Sequence, residues 1–179
     1  GIDAYGLKLP PREVNQVRHH VALAHGLAVQ AIRARGRAGT KVGPAENLAT
    51  CVPAFDSPDH VRAAEIATRE LNSGFLGVIL EGKYTDGFLQ YAGRNAPKFT
   101  ADELKIISSP NDFVGLNIYA PQFYIAASGK PPGWKMLPFP ASFPHMSSDW
   151  LRVGPETIYW APRLAAKVWN IENIYISEN

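Results

Sequence analysis

Apolar residues recur along this chain at helical spacing in some stretches and in unbroken runs in others. From Val14, the residues Val17, Val21, Ala24, Ala28 and Ala31 follow at steps of three and four. That spacing is one face of a helix and predicts it over 14–35, with Gly36 and Gly39 as the stop. Residues 1–13, which include Gly1, Gly6, Pro10 and Pro11, read as a loop. Lys41-Val42-Gly43 is a short strand candidate closed by Pro44. Ser57-Pro58 is a helix start, Ser as cap and Pro in the first turn. It predicts a helix over 58–72 with Val61, Ala64, Ile66, Ala67 and Leu71 near the apolar side and Gly74 as its end. The apolar run 75–80 fits a strand or a further packed helical segment, and the latter is favoured. A glycine-containing stretch follows to Lys98, and Thr100-Ala-Asp-Glu103 has capping-box spacing for a helix through Ile107.

Asp112-Phe-Val-Gly-Leu-Asn-Ile-Tyr119 is the clearest internal strand. Residues 120–154 contain Pro121, Pro131, Pro132, Pro138, Pro140 and Pro144 and are expected to form one long structured loop, the kind that is usually functional. Pro155 opens a helix carrying Ile158, Leu164, Ala165 and Val168, and a last strand covers 173–177. Strands alternating with helices imply an α/β fold with a parallel sheet and crossover helices.

Composition narrows the function classes. Apolar residues at 46% with eight Phe, seven Tyr and four Trp exclude a disordered chain. A net charge of +2 gives no case for nucleic acid, and Arg33, Arg35 and Arg37 read as a solvated helix end. No apolar run reaches the ~18 residues of a membrane span. The single Cys51 excludes an internal disulfide and fits a reducing, cytoplasmic setting; it reads as a small buried residue rather than a nucleophile. No GxGxxG follows a strand, and Gly129-Lys-Pro-Pro-Gly133 is too proline-rich to cradle a phosphate. His20-x4-His25 places two rings about 140° apart on a helix, so His19, His20 and His25 read as structural and neither a metal nor a cofactor is expected. His60 and His145 have no partner visible in the sequence.

The candidate chemistry lies at strand ends. Ile174-Tyr175-Ile176 runs into Glu178, and a carboxylate there can attack an electrophilic carbon, bind a cation, or simply be a solvated terminus. Asn117 and Tyr119 are two apart and face one side; in a parallel sheet they stand level with Glu178. A phenol there can hold a carboxylate ionised and oriented, or it can be a buried Tyr with a satisfied hydroxyl.

These residues carry a resemblance. Asp112-Phe-Val-Gly-Leu-Asn-Ile-Tyr119 resembles the DFxGxNYY strand of family 1 glycoside hydrolases, the β-glucosidase/β-galactosidase group of (β/α)8 TIM barrels. Ile174-Tyr-Ile-Ser-Glu-Asn179 resembles its IYITENG motif, with Ser177 where Thr is common. Residues 150–169 are similar to the segment before strand seven, and His19-His20-x4-His25 resembles, loosely, an HxxxAH helix. The resemblance implies that 1–179 is part of a barrel catalytic domain, covering roughly strands five to seven. It implies that Glu178 is the nucleophile of a retaining β-glycosidase, that Tyr119 hydrogen-bonds it, and that Asn117 belongs to the same substrate-facing network. The partners it implies are a small β-linked sugar and the remainder of the barrel. No NEP occurs in the chain, so the acid/base Glu of the family's TxNEP motif is expected upstream of Gly1, and the residues that grip the sugar beyond Asn179. Glu46 and Glu81 lack that motif, and the segment alone is expected to be inactive. Two rivals are a truncated barrel remnant that only binds sugar or a partner, and an aldolase; the aldolase needs a Schiff-base Lys at a strand end, and Lys41 stands at a strand start.

Overall fold

The computed structural model describes residues 8–148 and 150–179. In chain order the elements are α1 (Pro11–Arg35), β1 (Ala45–Asn47), β2 (Cys51–Pro53), α2 (Pro58–Leu71), a π-helical turn (Ser73–Gly77), α3 (Val78–Glu81), α4 (Asp86–Ala92), a 3-10 turn (Gly93–Asn95), α5 (Ala101–Ile107), β3 (Val114–Asn117), β4 (Phe123–Ala127), β5 (Trp134–Leu137), α6 (Glu156–Trp169) and β6 (Ile174–Glu178). They form two units. One joins the residues up to Val42 with Ser73–Asp112; the other joins Gly43–Asn72 with Phe113–Asn179.

The first unit is helical. Of the loop expected over 1–13, residues 1–7 lie outside the described residues. Pro11 opens α1 three residues before the expected start, because proline at the first turn has helical φ and no donor to orphan. The buried face of α1 is His19, Ala22, Gly26 and Val29, whereas Val17 and Val21 are exposed. The apolar stripe is therefore not the packed stripe. Close approach decides it: a Cβ on Gly26 would lie 2.1 Å from the Ile106 carbonyl oxygen of α5. Ala22, Val78, Ile79, Tyr84 and Ile107 form the core, with Phe75, Phe88 and Leu104 packed on it. The run 75–80 is helical, as favoured. α4 was hidden in the glycine-containing stretch; the Thr85 hydroxyl caps it by accepting from the Phe88 N–H at 3.1 Å. The capping box of Thr100 and Glu103 forms as expected. Lys41-Val42-Gly43 is not a strand. The Val42 N–H, which a ladder would need, donates instead to the Asp112 carboxylate at 2.7 Å.

The second unit holds every strand among the described residues, in two three-stranded sheets of order β1-β3-β6 and β2-β4-β5. β3 lies between β1 and β6 and is parallel to both. β4 is parallel to β2 and antiparallel to β5. The latter pair corrects the expectation of one long structured loop over 120–154, since that stretch holds two strands: Phe123–Ala127 is β-prone, and Gly133, at φ 91°, turns the chain before Trp134. Cys51, Ala63, Ala64, Ala67, Ile125 and Leu164 form the core beneath α2 and α6. Ser57 does not cap the α2 backbone; its hydroxyl pairs with His60 at 3.0 Å. α2 stops at Leu71, and the Asn72 side chain donates to the Thr68 carbonyl at 2.8 Å and accepts from the Ala49 N–H at 2.8 Å. Ile66 and Ile158, both expected inward, are exposed, because alanines occupy the packed faces.

Candidate active site

β3 and β6 run parallel and end side by side, so the residues at their C-terminal ends gather at one edge of the sheet. Just beyond β3, the Tyr119 hydroxyl donates to Glu178 Oε2. Both side chains are exposed. That hydrogen bond holds the Tyr119 hydroxyl above its ordinary pKa, with desolvation and the negative charge of Glu178 adding to it. The phenol is thus a firm donor at neutral pH. Asn117 Nδ2 donates to Asn47 Oδ1 at 2.8 Å, and Ser177 Oγ donates to Asn117 Oδ1 at 2.7 Å. Trp150 stands edge-on to Tyr119, ring centroids 5.8 Å apart, and its indole is 59% exposed. An open cleft of about 360 Å³ lies beside Tyr119, walled by Ile118, Met146, Leu151 and Asn179 among others.

The edge therefore offers a carboxylate held by a phenol, a line of amides, and a flat apolar ring. A carboxylate so held is aimed, which suits attack on an electrophilic carbon. Three residues singled out in the sequence meet here: Asn117, Tyr119 and Glu178. Asn117 reaches Ser177 and Asn47 rather than the Glu178 carboxylate, so its amide oxygen and one amide donor are engaged within the protein. Asn47 and Trp150 were missed as site residues. Asn47 closes β1 as Asn117 closes β3, and its place at a strand end was the available signal. Nothing local in the sequence pointed Trp150 at Tyr119.

The other candidates stay apart. His19 is fully buried, bonded to the Tyr84 hydroxyl at 2.9 Å and 3.6 Å from Glu103. Burial lowers its pKa, against the pull of Glu103. His20 pairs with Gln16 and His25 with Asn111. His60 pairs with Ser57, and His145 bonds the Met146 carbonyl. Among the described residues no group of His, Cys, Asp or Glu is placed to hold a metal ion. Burial pushes the Cys51 thiol up to about 12, which leaves no thiolate for nucleophilic work near neutral pH. Arg33, Arg35 and Arg37 are exposed at the end of α1, and Arg33 forms an ion pair there with Asp112 at 2.6 Å.

The sequence profile of glycosyl hydrolase family 1 matches residues 1–179. The chain belongs to this family. It is 30% identical over 185 residues to β-glucosidase A of Acetivibrio thermocellus, a match that takes in 100% of this chain and 40% of that protein. It is 28% identical over 188 residues to raucaffricine-O-β-D-glucosidase of Rauvolfia serpentina, covering 95% of this chain and 35% of that one. Among solved structures it resembles virulence factor SghA from Agrobacterium tumefaciens, with TM-score 0.74, 26% identity and coverage of 98% and 39%. SghA has also been solved with its substrate analog salicin. The family 1 β-glucosidase from Thermotoga maritima matches with TM-score 0.71, 25% identity and coverage of 98% and 39%; it has also been solved with glucoimidazole. This family 1 chain thus spans 40% or less of the length of these relatives, and its fold is that of a segment of a (β/α)8 barrel. In such barrels the chemistry sits at the C-terminal ends of the strands, the level at which Tyr119 and Glu178 meet.

Proposed function

We propose that the complete protein hydrolyses terminal β-linked sugars, as a β-glucosidase-type enzyme that retains configuration at the anomeric carbon, with Glu178 as nucleophile and Tyr119 as the residue that orients it. The observation that carries the reading is the Tyr119–Glu178 hydrogen bond at the carboxyl edge of a parallel sheet, in a family 1 chain. The relatives solved with salicin and glucoimidazole support a substrate of glucoside size.

The chemistry runs in two steps. A second carboxylic acid, which no NEP segment of this chain supplies, protonates the glycosidic oxygen while a Glu178 oxygen attacks the anomeric carbon from the opposite face. The aglycone leaves and a glycosyl ester forms on Glu178. Water, deprotonated by the second carboxylate, then cleaves that ester, and the two inversions restore the starting anomer. Glu178 attacks as the carboxylate, and the phenolic donor fixes the direction of its oxygens. The exposed Trp150 ring, edge-on to Tyr119, presents a flat apolar surface for a sugar or its aglycone. Proton NMR of the first product released from an aryl β-glucoside by the complete protein tests the reading. The β-anomer is expected first. The α-anomer first would overturn the mechanism, and sugar binding without turnover would make the protein a binding remnant of the barrel.

A further inference from the structure

β3 and β6 pair as Val114 with Ile174, Gly115 with Tyr175 and Leu116 with Ile176, and then Asn117 with Glu178. Ser177 is the extra residue of a β-bulge. In a regular strand Ser177 and Glu178 would point to opposite faces. Here Ser177 Oγ reaches Asn117, and Glu178 receives the Tyr119 hydroxyl, although Asn117 and Tyr119 are two apart and share one side. The bulge brings two consecutive side chains of β6 to the same side, the re-aiming for which bulges beside active sites are known. Its hydroxyl is tied down: Asn117, which accepts from it, donates in turn to Asn47, so hydrogen bonds cross all three parallel strands. Gly115 leaves the room, since a Cβ there would lie 3.2 Å from Ser177 Oγ and 3.2 Å from the Pro44 carbonyl oxygen.

We propose that Ser177 is a positioning residue: its hydroxyl pins the bulge through Asn117 and Asn47 and thereby aims Glu178. The proposal rests on the reading of Glu178 as nucleophile. The test uses the complete protein and 2,4-dinitrophenyl 2-deoxy-2-fluoro-β-glucoside, whose leaving group needs no acid. Trapping is followed by intact mass for wild type, Ser177→Thr, Ser177→Val and Ser177→Ala, each with its melting temperature and a pH profile of trapping. Thr and Val have the same shape and differ by the hydroxyl alone. Thr is expected to trap within about threefold of wild type. Val and Ala are expected to fall about tenfold, the size of one lost hydrogen bond, in the first-order trapping constant rather than in probe affinity. Equal trapping by Thr and Val overturns the proposal, as does a Val variant that loses trapping only in proportion to lost fold. Wild type that forms no adduct at Glu178 overturns the nucleophile reading and this inference together.

Discussion

Tyr84 and Tyr119 each sit close to a carboxylate, Glu103 and Glu178 respectively, and their surroundings separate them. Tyr84 is 5% exposed, bonded to the fully buried His19. Tyr119 is 38% exposed, bonded to the exposed Glu178 at a strand end. Both hydroxyls are held above their ordinary pKa, but for different first reasons: burial for Tyr84, the hydrogen bond to Glu178 for Tyr119. The buried pair satisfies polar groups that would otherwise destabilise a packed helical unit. The exposed pair has no such need, since water could solvate both groups. An oriented acid–phenol pair kept in solvent, beside an exposed indole, is what a site for an incoming ligand requires.

The comparison predicts losses of different kinds. Glu178→Gln should lower turnover of the complete protein by at least about a thousandfold, since a neutral amide is a poor nucleophile; a loss under tenfold would return Glu178 to a solvated terminus. Tyr119→Phe should cost roughly 10- to 150-fold in rate, about 1.5–3 kcal/mol for a hydrogen bond to a charge. An unchanged rate would remove Tyr119 from the site. Tyr84→Phe should leave turnover within about twofold and lower unfolding stability by about 1–3 kcal/mol, because His19 keeps a buried ring nitrogen without its partner. A rate loss without a stability loss would erase the contrast between the two tyrosines.

His19 adds a pH dependence to the buried region. Its folded pKa lies below the ordinary 6.5, so the unfolded chain takes up the proton first as pH falls. Its contribution to stability is complete above about 6.5 and is lost as pH drops through that value toward the folded one. Urea midpoints should therefore fall between about pH 7.5 and 5.5, with a shallower slope in His19→Gln; a midpoint that rises over this range would contradict the burial account. The smallest effect is expected at Cys51. Cys51→Ala should leave turnover within a few-fold, and the native thiol should resist iodoacetamide near neutral pH because burial holds it protonated.

The sequence was most legible where local chemistry decides structure. Thr100 and Glu103 cap a helix from within four residues, and the runs before Asn117 and Glu178 form parallel strands with those residues at their ends. It was least legible where contact partners decide. Gly26 turned α1 onto a face that Val17 and Val21 did not mark, because the absent Cβ admits the Ile106 carbonyl. Prolines around Phe123–Ala127 masked a strand whose ladder runs to Cys51–Pro53 on one side and Trp134–Leu137 on the other. At the candidate site, Tyr119, Asn117 and Glu178 could be named from their strand ends and family motifs. The link from Ser177 through Asn117 to Asn47 could not, since a bulge is a property of register between strands rather than of either strand alone.

The most direct measurement is peptide mapping of the complete protein after reaction with a 2-fluoro-β-glucoside carrying a good leaving group. The fluorine slows hydrolysis of the glycosyl ester, so the adduct survives digestion. The account predicts one sugar per chain, carried by the peptide that contains Tyr175–Asn179 and located on Glu178, with no adduct in Glu178→Gln. A label on another carboxylate, or steady turnover of the natural anomer with no covalent species, would contradict it.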